Sequence, residues 1–364
     1  MRLPCSESEF LERYWQQKPV LLPQALPNFD APLSPEELAG LAMEPEVSSR
    51  MVTCSNGVWE KADGPFSAKD FQKQGAWTLL VDKVDRWHEA VRALLGHVSF
   101  LPSWRFDDVM VSFAVDGAGV GPHFDRYDVF LLQGLGEREW HIGPRCDEHT
   151  PQMHTDGLSL IAEFEPAESY TLRRGDVLYV PPGVAHWGIA RGECMTYSLG
   201  FRAPRISDLV ARRADSVLER LAETTLLEDG YSVSTEARPG EITRAHVANA
   251  LDAIANASDA LDDRRWFGEV VTEQLSADDE AFESPAALQE SPRVRLISAN
   301  SVAWSAYSEH FEVFVKGETF LAPLTALESL MALCAGGSVS YIELSADHRE
   351  LFDALLMQNA IEPG

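Results

Sequence analysis

A series of short strand-like segments between Asp108 and Ala203 constrains the fold more than any other feature of the sequence. Runs of apolar, β-branched and aromatic residues recur there, and Gly and Pro residues separate them. The runs are "VMVSFAV", "DVFLLQ", "EWHIG", "SYTL", "DVLYVPPG" and "MTYSLGFR". Strands of this length leave exposed edges unless a sandwich or barrel closes them. We therefore predict two packed antiparallel sheets, a jelly roll, that enclose a cavity.

The regions on either side of this core contain sequence patterns typical of helices. The first ninety residues contain two helix-start signals, Ser6 followed by Glu9 and Ser34 followed by Glu37. We assign residues 1–205 to the jelly roll and its N-terminal additions. A chain of 364 residues is long enough for two or three domains at about 150 residues each. The predicted fold class is therefore α+β.

Two further domains are predicted after residue 205. Residues 206–275 are rich in Ala and Leu at helical spacing, and their apolar stripes serve either core packing or self-association. Residues 276–364 combine a hairpin near Lys316 and Gly317 with two helices, which fits a compact unit of winged-helix size. The many acidic residues in that unit argue against binding to duplex DNA.

Charge and cysteine content restrict the partners and the compartment. The formal net charge of -27 disfavours a phosphate backbone and suits a basic macromolecule or a small molecule, although acidity also aids solubility. The five cysteines are scattered and form no paired motif, so we predict a reducing cytoplasm. No stretch of about 20 residues is apolar enough for a membrane span.

A candidate metal site begins with His123 and Asp125. Alternate residues of an extended strand point to the same side, so both side chains are aimed at one region. His186, which follows the rigid "VPPG" turn, is the candidate third ligand. Two imidazoles and one carboxylate form a facial triad that favours non-haem Fe(II). A pair of this kind also arises by chance, and the alternative is that these are ordinary structural histidines.

A second cluster offers a rival site. Four potential ligands lie close together in the sequence: His141, Cys146, His149 and His154. Their spacing matches no usual structural zinc pattern, and one thiol with three imidazoles is an atypical set. We therefore favour the first cluster.

Four other residues are candidates for binding a co-substrate. Arg138 lies in the β-run downstream of the ligand pair, and a guanidinium binds a carboxylate through two charge-assisted hydrogen bonds. If the co-substrate is 2-oxoglutarate, Arg138 is the candidate for its distal carboxylate; the alternative is a solvated residue flanked by Glu137 and Glu139. Hydroxyl donors are expected from Ser112, Tyr127 and Ser198.

The segments "VGPHFDRYDVFLLQGLGEREW", "GDVLYVPPGVAHWG" and "YSLGFRAP" resemble the JmjC-type 2-oxoglutarate oxygenases. More narrowly, they are similar to the bacterial ribosomal oxygenases that hydroxylate an arginine of a large-subunit ribosomal protein. The resemblance implies a double-stranded β-helix, with Fe(II) held by His123, Asp125 and His186. It also implies that 2-oxoglutarate is held by Arg138 and that O2 is consumed.

The same resemblance has implications for the other domains and for partners. It implies a homodimer formed through residues 206–275, a C-terminal winged helix that does not bind DNA, and a basic ribosomal protein as substrate. Ser112 falls where the family faces its co-substrate, whereas Ala114 replaces an expected second hydroxyl. Four other functions remain as alternatives: a JmjC demethylase, a histidine or asparagine hydroxylase, a small-molecule cupin enzyme, and an acidic module that binds a basic partner without catalysis.

Overall fold

The computed structural model describes residues 1–155, 157–228, 238, 240–259, 264–273 and 293–363. The chain divides into two compact units. The first unit comprises Met1–Ala203, Arg295–Asn300 and Met331–Val339, and the second comprises Pro204–Val294, Ser301–Leu330 and Ser340–Gly364. The predicted boundary after residue 205 lies next to this division. The predicted boundary after residue 275 lies outside the described residues.

The part of the chain up to residue 203 is mainly β-structure. Its strands are β1 (Val20–Leu22), β2 (Ser49–Ser55), β3 (Val58–Asp63), β4 (Trp77–Val81), β5 (Phe106–Ala114), β6 (Asp128–Arg145), β7 (Gln152–Thr155), β8 (Leu158–Ile161), β9 (Glu168–Arg173), β10 (Val177–Val180) and β11 (Val184–Phe201). Its helices are α1 (Glu7–Arg13), α2 (Pro35–Leu41), α3 (Val84–Trp87) and α4 (Glu89–Arg92).

Two long strands organise the principal sheet. This sheet has nine strands in the order β1-β10-β6-β11-β5-β4-β2-β3, and β9 also pairs with β6. Strands β6 and β11 have 18 residues each and pair with one another along most of their length. The first part of β6 pairs with β10 and its second part with β9. The sheet is therefore continuous, whereas the sequence suggested two separate sheets.

The two parts of β6 nevertheless face each other around one interior. Val129 and Leu131 from the first part share a buried cluster with Trp140 and Ile142 from the second. The inward positions change from odd to even numbers, and the pairing of β11 with β6 shifts register in the same region, between Arg191 and Thr196. This bend folds one hydrogen-bonded sheet into the predicted β-sandwich.

The N-terminal helices cover the outer face of this sandwich. In α1, the Ser6 side chain accepts a hydrogen bond from the Glu9 backbone N–H. In α2, Ser34 and Glu37 form a complete capping box. Both predicted helix starts are confirmed, because these side chains satisfy backbone donors that the first turn leaves unpaired. The larger of the buried apolar clusters, which includes Phe10, lies between these helices and the sheet.

Beyond residue 203 the described elements are three helices followed by short strands, with two further helices between the later strands. They are α5 (Ile206–Leu218), α6 (Arg244–Asp259), α7 (Arg264–Glu273), β12 (Arg293–Leu296), β13 (Val302–Ala306), β14 (His310–Val315), β15 (Glu318–Pro323), α8 (Leu327–Cys334), β16 (Ser338–Ser340), α9 (Ala346–Met357) and β17 (Ile361–Pro363).

Within the second unit, β13, β14 and β15 form an antiparallel sheet. The predicted hairpin is confirmed, since Lys316 and Gly317 connect β14 to β15 with positive φ angles. The winged-helix assignment stays a prediction. The five cysteines form no disulfide, and none of the described helices has the length and apolar character needed to cross a bilayer.

Candidate functional site

The candidate site is formed where the segment before β6 pairs with the start of β11. His123 and His186 form an antiparallel bridge, with N–H···O distances of 3.1 Å from His123 to His186 and 2.8 Å in return. The backbone N–H of Gly183, in the Pro-Pro-Gly turn, donates to the Asp125 carbonyl at 2.7 Å. β6 begins only at Asp128, so His123 and Asp125 lie on a segment that three backbone hydrogen bonds hold against the Pro-Pro-Gly turn and the start of β11.

The three predicted ligands converge in space. The Asp125 Oδ2 atom lies 3.5 Å from His186 Nε2 and 4.0 Å from His123 Nε2. One potential ligand atom from each residue lies within 4.8 Å of the others. His186 is buried, whereas His123 and Asp125 are partly exposed. Ligand atoms at such separations can surround a single metal ion and leave further coordination positions open.

The orientation of both imidazole rings suits metal binding. The Nδ1 atom of His123 lies 3.0 Å from the Gly121 carbonyl, and that of His186 lies 3.0 Å from the Val184 carbonyl. A carbonyl can only accept, so each Nδ1 carries the proton and each Nε2 offers a lone pair. Burial, helped by neighbouring His123, lowers the pKa of His186 to about 4. His186 is therefore neutral and able to bind a metal at physiological pH.

Arg138 lies inside the sandwich and not on its surface. Its side chain is 5% exposed, and its Nη1 donates to the Ser112 hydroxyl at 3.3 Å. Its Nε and Nη2 atoms are buried without a hydrogen-bond partner among the described residues. The flanking carboxylates do not neutralise it, because Glu137 and Glu139 pair with Arg173 and Arg191. Burial of a guanidinium without a counter-charge destabilises the free protein. Its unpaired donors have the geometry to bind a carboxylate ligand.

The other predicted polar residues surround the same interior to different degrees. Ser112 and Ser198 are buried, and Ser112 is the one that contacts Arg138. Tyr127 packs against the inner apolar cluster, and burial together with Asp125 raises its pKa. Ala114 lies in a buried cluster of small residues, where it supplies no hydroxyl. The structure therefore brings the hydroxyl of Ser112 to the guanidinium and leaves Tyr127 nearer to the triad.

The sequence did not single out Trp140, which lies between the two parts of the site. Its ring centroid is 5.7 Å from the Arg138 guanidinium carbon and 5.8 Å from the His186 ring centroid. Its Nε1 atom is buried without a partner among the described residues. The available signal was strand alternation, since Trp140 follows Arg138 by two residues and faces the same way.

The outer end of the β5 face carries a carboxyl group beside a cation, since Arg50 donates from Nη2 to Met110 Sδ at 3.3 Å. Asp108, Met110 and Ser112 alternate along β5, so they share one face. Burial and the neighbouring Asp107 carboxylate raise the pKa of Asp108 to about 7. Asp108 is also close enough to Tyr127 to raise the pKa of that phenol. The β5 face therefore runs from a carboxyl group at Asp108 to Ser112, which contacts a guanidinium.

The rival zinc cluster does not converge in the described part of the chain. His141 contacts the Ser169 hydroxyl at 2.8 Å through Nδ1 and lies 3.5 Å from Glu139 through Nε2. The His149 side chain is 84% exposed, and the side chain of His154 lies outside the described residues. Among the described side chains, His123, Asp125 and His186 form the only group with the spacing of a metal site.

Comparison with protein families agrees with this geometry. Residues 93–209 match the model of the JmjC domain. The "Ribosomal protein uL16 3-hydroxylase" of Escherichia coli is 40% identical over 275 residues, which cover 75% of this chain and 73% of that protein. A "Probable ribosomal oxygenase" of Haemophilus influenzae is 37% identical over 204 residues, covering 55% and 50% of the two chains.

Solved structures give the same result. The X-ray structure of E. coli YcfD superposes with a TM-score of 0.78 at 33% identity and covers 99% of both chains. The structure of YcfD, a ribosomal oxygenase, in complex with cobalt and 2-oxoglutarate superposes with a TM-score of 0.75 at 32% identity over 99% of both chains. With identity this high over most of both chains, the protein belongs to the JmjC-domain ribosomal oxygenase family.

Proposed function

We propose that this protein is a 2-oxoglutarate- and Fe(II)-dependent hydroxylase that acts on an arginine side chain of a large-subunit ribosomal protein. One observation carries the proposal. A three-residue metal site and an unpaired buried guanidinium, on Arg138, lie in one β-walled interior. The related E. coli protein named for hydroxylation of uL16, and YcfD bound to cobalt and 2-oxoglutarate, support the choice of substrate class and co-substrate.

His123, Asp125 and His186 would hold the metal. When bound, Fe(II) with 2-oxoglutarate and O2 supplies the oxidising power to place one oxygen atom on a carbon, while 2-oxoglutarate becomes succinate and CO2. The Nδ1 hydrogen bonds to backbone carbonyls fix the tautomer of both imidazoles, so that each Nε2 faces the position of the metal. Asp125 supplies the one negative charge among the three ligands. The backbone contacts of these residues preserve the arrangement before any ligand arrives.

Arg138 would bind the distal carboxylate of 2-oxoglutarate. Its two unpaired donors match the two oxygens of a carboxylate, and the Ser112 hydroxyl beside it can donate a third hydrogen bond. Trp140 stacks near the guanidinium and keeps water from this part of the interior. These residues fix the co-substrate at the end away from the metal, and so orient its other end toward the triad.

The Asp108 carboxyl group on the β5 face supports a cationic substrate side chain. Asp108 lies on the same face as Ser112, at the opposite end from the Arg138 contact, and it lies near Tyr127. A carboxylate there would pair with the guanidinium of a substrate arginine. The net charge of -27 also favours a basic ribosomal protein and opposes duplex DNA. A ribosomal substrate agrees with the predicted cytoplasmic location.

The helical part of the second unit supports a homodimer. Helix α6 exposes Val247, Leu251 and Ile254, which recur on one side of the helix. Helix α5 exposes Ile206 and Val210 in the same manner. Apolar stripes of this kind are typical of surfaces that another protein covers. We therefore assign the dimer contact to α5 and α6, within residues 206–275.

The reaction itself is tested by mass spectrometry of large-subunit ribosomal proteins incubated with the enzyme, Fe(II) and 2-oxoglutarate. We expect one added oxygen on an arginine. Asp125→Ala and His123→Ala should reduce the modification to background because each removes a metal ligand, whereas His141→Ala should retain it. Loss of a CH2 group would indicate a demethylase, and oxygen on a histidine or asparagine would indicate those hydroxylases. Full turnover by Asp125→Ala would refute the ligand assignment.

Arg138→Ala should weaken 2-oxoglutarate binding steeply. Loss of a charge-assisted hydrogen bond costs about 1.5 to 3 kcal/mol, which corresponds to roughly a 10- to 150-fold rise in the 2-oxoglutarate KM. Arg173→Ala is the matched control, since Arg173 is exposed and pairs with Glu137. The KM is measured through succinate release at saturating peptide. An unchanged KM in Arg138→Ala would move the carboxylate site elsewhere.

Binding of a basic peptide should depend on pH through Asp108. Its raised pKa of about 7 means that Asp108 is neutral below pH 7 and charged above it, so the peptide KM should fall as pH rises through 7. Asp108→Asn should remove this dependence and raise the KM about 10-fold at pH 8, as expected for losing one charged hydrogen bond. Asp30→Asn, at an exposed carboxyl, should behave as wild type. An unaltered pH profile in Asp108→Asn would disprove the assignment.

The dimer is tested with Leu251→Glu, which places a charge in the centre of the α6 stripe. We expect sedimentation to show a monomer, because a buried unpaired carboxylate is unfavourable at an interface. Ala253→Glu adds the same charge on another side of α6 and should leave the dimer intact. A monomeric wild type, or a dimeric Leu251→Glu protein, would contradict the proposed contact.

A further inference from the structure

The two inward positions of β11 that follow His186 are occupied by very small residues. His186, Gly188 and Ala190 alternate on one face of the strand, so a ligand residue is followed by no side chain and then by a methyl group. Their partners on β6 are Ile142, Trp140 and Arg138 respectively. The smallest position on β11 therefore lies opposite the bulkiest side chain of the site, Trp140.

Gly188 is needed for space and not for backbone conformation. Its φ angle lies outside the positive range that favours glycine. A Cβ atom at Gly188 would lie 2.9 Å from Cη2 and 2.9 Å from Cζ3 of Trp140, and 3.0 Å from Cδ of Arg138. These distances are shorter than a carbon–carbon contact allows. The indole and the arginine stem thus occupy the volume that any other residue at this position would fill.

The path of the Arg138 side chain explains why this space matters. Arg138 pairs with Ala190, yet its Cδ atom lies against Gly188, two residues closer to His186. The stem therefore runs along β11 toward the metal site before the guanidinium reaches Ser112. Trp140 fills the remaining gap, since its ring is near both the guanidinium and the His186 imidazole. The bare backbone of Gly188 sets how close the arginine stem lies to the ligand end of β11.

We propose that Gly188 is a positioning residue, because its lack of a side chain lets Arg138 and Trp140 pack against the β11 backbone. The resulting position of the Arg138 guanidinium sets the length of dicarboxylate that fits between it and the triad. This inference rests on the proposed function, because it takes Arg138 as the carboxylate site. Packed interiors have little free volume to absorb an added methyl group. Trp140 is 4% exposed and is enclosed, so the flexible arginine stem takes up the displacement.

The test is calorimetric titration of the full-length, Mn(II)-loaded protein with 2-oxoglutarate, glutarate, succinate and malonate. In Gly188→Ala we expect at least a 10-fold loss of affinity for 2-oxoglutarate and a changed ranking of the three simple dicarboxylates. Gly96→Ala is the control, because a Cβ at Gly96 meets no atom within 4 Å. Thermal unfolding of each variant establishes that it is folded.

A second substitution separates positioning from general damage. Trp140→Phe removes the two ring atoms that collide with the new Cβ, so Gly188→Ala combined with Trp140→Phe should bind 2-oxoglutarate more tightly than Gly188→Ala alone. If the single Gly188→Ala variant does not fold, the double variant is compared with Trp140→Phe. The double variant keeps the 3.0 Å contact between the new Cβ and Cδ of Arg138, so a weaker affinity and a changed ranking relative to Trp140→Phe support the proposal, and equal values overturn it.

Three outcomes have distinct meanings. Wild-type affinity and ranking in Gly188→Ala overturn the role of Gly188 while leaving the oxygenase proposal standing. A loss of affinity that Trp140→Phe does not reduce also overturns it, because the proposal requires the indole to limit the space at Gly188. A wild-type protein that binds no 2-oxoglutarate refutes the proposed function instead.

Discussion

The antiparallel pairing of β6 with β11 is the constraint on which the rest of the site depends. Each strand has 18 residues, and their inward positions carry both a candidate metal ligand, His186, and the buried cation, Arg138. The bridge between His123 and His186 extends this pairing to the segment that holds the other two ligands. Because backbone hydrogen bonds fix the register, the triad and the guanidinium are held in place before any ligand binds.

The interior contains buried donors without partners and a buried charge without a counter-charge. Both raise the free energy of the ligand-free protein. The Nε and Nη2 atoms of Arg138 and the Nε1 atom of Trp140 are buried donors without partners in the described part of the chain. Each such group loses its hydration and gains no hydrogen bond in return. A dicarboxylate would satisfy the guanidinium and offset its charge. The site therefore sacrifices stability in the free protein for preorganised binding, which is a common property of functional sites.

The two ends of the β5 face differ in the charged groups that they carry or contact. The β5 face has Asp108 at one end and Ser112, in contact with Arg138, at the other. On the proposed function, an anionic co-substrate would bind at the second end and a cationic side chain at the first, because the reverse arrangement would bring like charges together. The metal ligands lie in the same interior as the guanidinium, and the carbon to be oxidised would meet the co-substrate there.

Short-range patterns in the sequence were sufficient to predict the local features. Strand alternation put His123 beside Asp125 on one side, capping residues set the starts of α1 and α2, and the Gly/Pro-separated runs specified a β-sandwich. These follow from short-range periodicity and backbone geometry. Tertiary structure decided that His186 lies within reach of Asp125, that Arg138 is buried without a carboxylate partner, and that Trp140 and Gly188 shape its surroundings. Those facts depend on cross-strand register and on the bend in β6, which arise from packing between residues distant in the chain and so leave no local pattern in the sequence.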